Sequence, residues 1–332
     1  WRSPPITRMY LNSIGAFPKK KGGADYRAIK TTLKILASGS PVCIFPEGQT
    51  SWHGETQLIY MGMERLIKRS KCPLAMFNLC GNFLLKPWWA RTKRSGRTLV
   101  TVKVLSAERI RELSDQELFD TIKQAIYHND IKDERNLHTR FRGRDLAEGL
   151  ERFVWRCMHC GAEDTLVTSG DSLTCTACNN TWALDAHCRL RPLTEGATCL
   201  HDLKDWADAH RAHVLDRIAS AGPTDVLTSS SGVTLRTLED DGYTFADRCV
   251  GSLSVTRSRL TFQPDGDSAK QHALSCAPDG AKDCVVQKKD IFELRYADTY
   301  YRFVFDHHSP MKWVYYLRYL NGYEELEKRG YL

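Results

Sequence analysis

Apolar positions in the first 70 residues follow two different periods, and each period predicts its own kind of element. Residues 25–38 carry apolar side chains at helical spacing and are followed by Gly39, which is a typical helix stop. The short apolar run at 41–45 predicts a buried strand. Residues 57–70 return to helical spacing and predict a second helix.

The next part of the chain continues this alternation. Two apolar runs, at 74–79 and 98–105, predict strands, and SDQE at 114–117 is a capping-box pattern that predicts the start of a helix. Helices that alternate with strands are typical of a mostly parallel α/β domain. Ligands of such sheets collect at the carboxyl ends of strands, and Glu47 and Gly48 stand at such an end.

The last third of the chain has a different pattern. Residues 196–221 predict a helix, residues 221–232 predict a linker, and from about residue 233 the pattern alternates as strands do. The final stretch predicts an amphipathic helix with Ser309 as its cap and Pro310 at its first position. Strands closed by one helix resemble, in architecture, a pleckstrin-homology or GRAM-like domain. Such domains often bind lipid headgroups or peptides, and a purely structural role is equally consistent.

Composition places the chain among globular proteins of two or three domains. It has 332 residues, of which 42% are hydrophobic and 26% are charged. The longest nearly apolar stretch, residues 73–85, is too short for a membrane-spanning helix, which needs about 20 apolar residues. No signal peptide is visible at the start. The cysteine motif described below favours a reducing compartment, so we expect a cytoplasmic protein.

Basic residues are concentrated in the first half of the chain. Residues 1–150 hold 26 Lys and Arg against 14 Asp and Glu, whereas the whole chain has a net charge of +7. This imbalance favours an anionic partner such as a phosphorylated small molecule, a membrane headgroup or nucleic acid, although a solvated basic face gives the same pattern. We expect no nucleic acid, because no motif interleaves aromatic with basic residues.

Three segments of the first half carry a family resemblance. The stretch GSPVCIFPEGQTSWHGETQLIYMG, residues 39–62, resembles the third motif block of the PlsC-like glycerolipid acyltransferases, which include the lysophosphatidic-acid acyltransferases. GAFPKKKG at 15–22 resembles the second block, and CPLAMFNLCG at 72–81 resembles the fourth. The resemblance covers about residues 10–105 and implies an α/β acyltransferase domain that is incomplete at its N-terminus.

The resemblance also implies a reaction and a binding site. The acyl donor would be acyl-CoA or acyl-carrier protein, and the acceptor a lysophospholipid or glycerol phosphate at the cytoplasmic membrane, where the protein would be peripheral. Phe45, Pro46, Glu47 and Gly48 fall on the acceptor-binding block, and Lys21 falls where the second block normally has arginine. Lysine supplies a point charge for a phosphate but not the bidentate fork of arginine.

Departures from the family pattern leave the catalytic residue unknown. The family's general base belongs to a His-x4-Asp block upstream of the second block, and no histidine precedes Gly15. His128 and Asp133 have the same spacing but follow the third block, so we interpret them as a polar helix end, and His53 as a loop histidine. We therefore expect an acyltransferase whose activity is impaired by the missing His-x4-Asp block. The alternative is a catalytically silent lipid- or membrane-binding protein.

Two C-x2-C pairs give the most specific motif of the chain. Cys157, Cys160, Cys175 and Cys178 follow the pattern C-x2-C-x14-C-x2-C, which is typical of a four-cysteine zinc ribbon. Four thiolates leave no position for water, so the zinc would be structural. Two disulfides or free thiols are the alternative, and paired knuckles without a signal peptide argue against them.

The sequence therefore predicts an α/β acyltransferase domain, a β zinc ribbon and a β-rich domain closed by a helix. The expected boundaries are 1–145 for the partial PlsC-like domain, 150–195 for the zinc ribbon, 196–222 for the helix and linker, and 223–332 for the pleckstrin-homology or GRAM-like domain.

Overall fold

The structure is a computed structural model that describes residues 4–17, 25–48, 50–59 and 62–328. Its contacts divide the chain into two compact units. One unit contains Ile29–Ala209 together with the C-terminal residues from Glu324, and the other contains His210–Tyr323 together with the N-terminal residues up to Ala28.

Short helices dominate the chain before residue 150. The elements are, in order, α1 (Pro5–Ser13), α2 (Tyr26–Ala37), α3 (Met63–Ser70), β1 (Leu74–Cys80), α4 (Asn82–Leu85), β2 (Leu99–Leu105), α5 (Ala107–Glu112), α6 (Asp115–Ile126) and α7 (Glu134–Leu137). The predicted capping box is confirmed, because Ser114 and Glu117 bond reciprocally at the start of α6. Apolar residues of α5 and α6 pack against one face of the β1–β2 hairpin in a small core.

Three sequence predictions for this region are wrong. Residues 41–45 form no strand, and Glu47 makes only an isolated antiparallel bridge with Ile59. The helix predicted over 57–70 begins only at Met63, because Leu58 and Ile59 lie buried in non-helical backbone. The expected parallel sheet is absent among the described residues, since β1 and β2 pair antiparallel. Periodicity identifies apolar runs but does not specify which partner they pair with.

The metal-binding motif lies in an antiparallel sheet of four short strands. These are β3 (Leu166–Ser169), β4 (Ser172–Cys175), β5 (Thr181–Leu184) and β6 (Leu190–Pro192), in that spatial order. Between the two cysteine pairs, β3 and β4 form an antiparallel hairpin. Trp182 of this sheet meets Trp206 edge to face at 5.5 Å between ring centroids.

A long helix follows, α8 (Leu203–Ser220), which begins seven residues later than the sequence pattern predicted. The β-rich region then starts at Thr228, inside the predicted linker. Its strands are β7 (Thr228–Leu238), β8 (Phe245–Val255), β9 (Leu260–Pro264), β10 (Leu274–Cys276), β11 (Lys282–Gln287), β12 (Ile291–Tyr296) and β13 (Thr299–Val304).

These strands form one antiparallel sheet with the order β10-β9-β8-β7-β13-β12-β11. Helices α9 (Met311–Leu320) and α10 (Tyr323–Lys328) follow it. The closing helix begins one residue later than predicted, with Pro310 rather than Ser309 in the cap position, and the Met311 N–H donates to Ser309 Oγ at 3.2 Å. The fold is therefore mixed α/β with a β-rich C-terminal region and a C-terminal helix.

Candidate functional site

The four predicted metal-ligating cysteines come together in the structure. Their Sγ atoms all lie within 4.8 Å of one another, with Cys157 to Cys178 and Cys160 to Cys175 both at 3.8 Å. A tetrahedron of sulfurs around a metal at about 2.3 Å has edges of about 3.8 Å. Disulfide sulfurs are bonded at about 2.05 Å, so the alternative of two disulfides is excluded. The cluster could hold a metal ion and is compatible with zinc.

Each C-x2-C pair adopts the same local fold. The Cys157 N–H donates to Ala162 O at 2.9 Å and the Gly161 N–H donates to Cys157 O at 3.0 Å. The second pair, at the end of β4, repeats this pattern. The Cys175 N–H donates to Asn180 O, and the Asn179 N–H donates to Cys175 O. Two equivalent turns therefore present their thiols to a common centre.

Left-handed backbone makes these turns possible. Gly161 and Asn179, each directly after the second cysteine of its pair, have φ values of +77° and +59°. Glycine and asparagine are the residues that adopt this conformation most readily. The residue types at these two positions therefore favour both turns independently of a metal.

Backbone amides also point at the thiols. Burial raises the pKa of the Cys157 thiol to about 12, although hydrogen bonds from the backbone of Cys160 and His159 act in the opposite direction. Burial acts the same way on Cys175, but hydrogen bonds from Thr165 and from the backbone of Cys178 and Ala177 bring its pKa down to about 7. Such donors stabilise a bound thiolate, which is the form that ligates a metal.

His187 and Cys188, which follow the ribbon cysteines in the chain, are not part of this centre. Cys188 is buried and accepts a hydrogen bond from Arg94 Nη1 at 3.2 Å. His187 Nε2 lies 3.0 Å from Thr139 O and 3.2 Å from Asn136 O, so this nitrogen carries the proton and donates to both carbonyls. Both residues therefore have structural roles.

The predicted acceptor-binding motif lies in an irregular segment of the same unit. Phe45 is 86% exposed, Pro46 and Glu47 are half-buried, and Gly48 is exposed. The Gly48 N–H donates to Leu58 O at 3.4 Å, which completes the small bridge with the 57–59 segment. Lys21, the predicted phosphate partner, lies outside the described residues.

Glu47 has a defined environment. Its Oε2 accepts a hydrogen bond from the Gln57 N–H at 2.6 Å. Burial raises the pKa of the Glu47 carboxyl, while this hydrogen bond and the charge of His128 lower it. A carboxyl of this kind, which is partly desolvated and has one backbone donor, can accept a further hydrogen bond from a ligand hydroxyl.

His128 is positioned by the segment that follows the motif. Its Nδ1 lies 3.1 Å from both Thr56 Oγ1 and Ile126 O, and its backbone N–H donates to Thr56 Oγ1 at 2.9 Å. Since Ile126 O can only accept, the neutral ring carries its proton on Nδ1, which leaves the lone pair on Nε2. The sequence reasoning missed Thr56, because no motif marks it and it lies 72 residues from His128.

Asp133 does not serve as the orienting partner of this histidine. Its carboxylate accepts hydrogen bonds from the Arg135 guanidinium at 2.6 and 2.9 Å and from Cys80 Sγ at 3.3 Å. The Arg135 hydrogen bonds hold the pKa of Asp133 down at about 2. The spacing His-x4-Asp therefore occurs here without the contact that a catalytic pair would need.

Asp130 is a buried carboxyl close to this group. Its two oxygens accept hydrogen bonds from the Gly81 and Phe83 N–H groups at 2.8 and 2.7 Å, so it caps the start of α4. Burial raises its pKa. The role of Asp130 is to hold the β1–α4 turn in place, and the sequence alone carried no signal for it.

Comparisons with known proteins add little to this geometry. No model of a known protein family matches the sequence, and no curated protein matches it. Among solved structures, the crystal structure of the C-terminal domain of an unknown protein from Leishmania infantum matches with 21% identity over 30% of this chain and 84% of that chain. Its TM-score is 0.18, which carries no argument about fold or function.

A search of the helices for membrane spans gave a negative result. Within the described ranges, none combines the length and the hydropathy that crossing a bilayer requires.

Proposed function

We propose that this chain supplies the acceptor-binding part of a glycerolipid acyltransferase of PlsC type. The observation that carries the proposal is the environment of Glu47, which accepts a backbone hydrogen bond and interacts electrostatically with His128. The three sequence blocks in family order and the basic first half support the same function.

In this reaction the acceptor hydroxyl attacks the thioester carbon of acyl-CoA or acyl-carrier protein. An oxygen–carbon bond forms, the carbon–sulfur bond breaks, and the thiol leaves with the proton that the hydroxyl loses. Glu47 would hold an acceptor hydroxyl, and Lys21 would attract the phosphate of a lysophosphatidate-like acceptor. Turnover is expected to be weak, because Asp133 is bonded to Arg135 rather than to His128.

Calorimetric titration of a short-chain lysophosphatidate tests the proposal. Lys21→Ala should weaken binding by about 10- to 100-fold, because a charge-assisted hydrogen bond contributes about 1.5–3 kcal/mol. Glu47→Gln keeps the shape of the side chain and should weaken binding less. Lys34→Ala, which removes the same charge from α2, is the matched control. Equal affinity in all four proteins would leave the motif as a packing feature only.

We also propose that the four-cysteine cluster holds one structural zinc ion. The 3.8 Å sulfur separations support this ion, and four thiolates complete its shell. The zinc would organise the ribbon and take no part in acyl transfer.

The C-terminal region is proposed to have a pleckstrin-homology or GRAM-like fold. Its strand order supports this proposal. Strands β7 to β10 form one meander and β11 to β13 form another, the two meanders join where β7 pairs with β13, and a helix follows. The ligand of this domain is not assigned.

The second candidate function is that of a catalytically silent lipid-binding protein, cytoplasmic and peripheral to the membrane. One face of the β1–β2 hairpin favours it. The face is apolar and exposed: Phe77 58%, Leu79 38%, Val100 52%, Val102 50% and Val104 64%. Exposed Lys71 and Arg97 lie just before the two strands, so an anionic lipid surface complements this face in both polarity and charge. Acyl transfer from a radiolabelled donor separates the two functions, since only an enzyme turns over.

A further inference from the structure

An open cavity in the unit that carries the ribbon is lined by basic side chains. Its volume is about 480 Å³, and the charged residues around it are Arg97, Arg140, Arg142 and His138. The hydroxyls of Ser95 and Thr139 lie on the same lining. None of the described residues that line this cavity is acidic.

The three arginines have no carboxylate partner within the described part of the chain, whereas Arg91 and Arg135 in the same region do. Arg91 pairs with Glu148 and Glu151, and Arg135 pairs with Asp133. Three uncompensated guanidinium groups around one concave surface raise the local potential and attract an anion. Guanidinium groups bind phosphate oxygens in a bidentate manner, which lysine cannot do.

The arginines are presented by a well-anchored backbone. Ser95 and Arg142 exchange both backbone hydrogen bonds, at 2.7 and 2.8 Å. Between Arg140 and Arg142, Phe141 is 5% exposed, so the alternation of this extended segment places both arginines on the outer side. A side chain on Gly96 would collide with the Phe141 ring, so glycine at this position lets the two segments approach.

Contacts with the ribbon hold the cavity segment around Thr139 and Phe141 in place. His187 meets the Phe141 ring edge to face at 5.4 Å, and it donates to the carbonyls of Asn136 and Thr139. Buried Arg94 donates to Ala186 O at 2.9 Å and to Leu146 O at 3.1 Å. The backbone around the cavity is therefore held in place before a ligand binds, and only the three exposed arginine side chains have to become ordered.

We propose that this cavity binds a phosphate monoester through Arg97, Arg140 and Arg142. The proposal does not depend on the acyltransferase function, because none of the cavity residues belongs to the acceptor motif. The phosphate can come from a soluble metabolite or from a lipid headgroup. Arg97 lies two residues before β2, which has an exposed apolar face. If that face lies on a membrane, Arg97 is close enough to the surface to contact a lipid headgroup.

The test measures binding of the full chain to two probes. Titration calorimetry with inorganic phosphate measures the soluble arm, and cosedimentation with phosphatidylcholine vesicles that contain phosphatidic acid measures the lipid arm. Arg140→Gln and Arg142→Gln should each weaken phosphate binding by about 10-fold or more. Arg144→Gln removes the same charge from an exposed position outside the cavity lining and should leave the affinity nearly unchanged.

Each outcome decides the proposal. Binding of both probes, lost in the two cavity variants, supports a site for the phosphate group itself. Arginine-dependent binding of the vesicles alone supports a lipid headgroup as the ligand. No saturable binding of either probe, or an equal loss in Arg144→Gln, overturns the site. Loss of phosphate binding in Lys21→Ala would also overturn it, because the anion would then occupy the acceptor motif.

Discussion

Two buried carboxyls near the acceptor motif have different roles, and their hydrogen bonds explain why. Asp130 is fully buried and uses both oxygens on backbone N–H groups, so its contribution is to local structure. Glu47 is half-buried and has one backbone donor on Oε2. The carboxyl of Glu47 is therefore accessible and can still accept a hydrogen bond from a ligand hydroxyl.

Stability should depend on pH through Glu47. Burial raises its pKa above the ordinary value of 4.5, so the folded protein holds this proton more tightly than the unfolded chain does. The stabilisation is present below about pH 4.5 and is lost as the pH rises through the folded pKa. Glu47→Gln should therefore be more stable than the wild type at pH 7, and the difference should disappear near pH 4. Urea denaturation across this range measures it, and a less stable variant at pH 7 would contradict the argument.

Asp130 should matter more for folding than any exposed acid nearby. Asp130→Ala leaves two buried backbone N–H groups without acceptors and should cost about 2–4 kcal/mol of unfolding free energy, since each unpaired group costs about 1–3 kcal/mol. Asp130→Asn keeps one acceptor and should cost roughly half as much. Asp120→Ala, at an exposed position of α6, is the control. If Asp130→Ala unfolded at the same urea concentration as the control, the capping role would be refuted.

At the scale of elements, the ribbon is shaped by two local turns and a buried core. Each knuckle is closed by hydrogen bonds within five residues of its first cysteine. Buried tryptophans then fix the sheet: the Trp182 indole donates to Thr198 O at 2.9 Å and the Trp206 indole to Arg156 O at 3.2 Å. Local turns position the thiols, and the surrounding core holds the two turns together.

Metal removal should therefore unfold the ribbon locally. We expect one zinc per chain by elemental analysis of the reduced protein, because structural zinc contributes folding free energy directly. Cys175→Ser should lose the zinc and change the fluorescence of Trp182 and Trp206. Cys199→Ser replaces an exposed thiol outside the cluster and should keep both the zinc and the spectrum. Zinc retained in Cys175→Ser would rule out the assignment.

At the scale of the whole molecule, charge and exposed apolar surface lie in the same part of the sequence. The first 150 residues hold the excess of Lys and Arg, and they also contain the β1–β2 hairpin with its exposed apolar face. Contiguous apolar surface next to basic residues is typical of contact with anionic lipid. Neither property alone separates a membrane surface from a soluble partner.

Substitutions on the two sides of β2 test this surface. Val102→Glu places a charge on the apolar face and should weaken binding to vesicles containing phosphatidic acid by about 10-fold, because burial of a valine contributes about 1.5 kcal/mol or more. Thr101→Glu adds the same charge on the opposite side of the strand and should have a smaller effect. Salt should weaken the wild-type interaction as well. Equal vesicle binding by the two variants would exclude this face as the contact.

Short-range chemistry in the sequence determined the cysteine cluster and the capping box of α6, because each depends on residues that are close together in the chain. Tertiary structure decided the rest. Residues 41–45 are apolar enough for a strand, yet they remain irregular, because a strand needs a hydrogen-bonding partner that periodicity does not name. Thr56 meets His128 across 72 residues, and Arg97 reaches the cavity of Arg140 and Arg142 through the bridge between Ser95 and Arg142. Such pairings join segments that are far apart in the sequence, so only the folded chain brings them together.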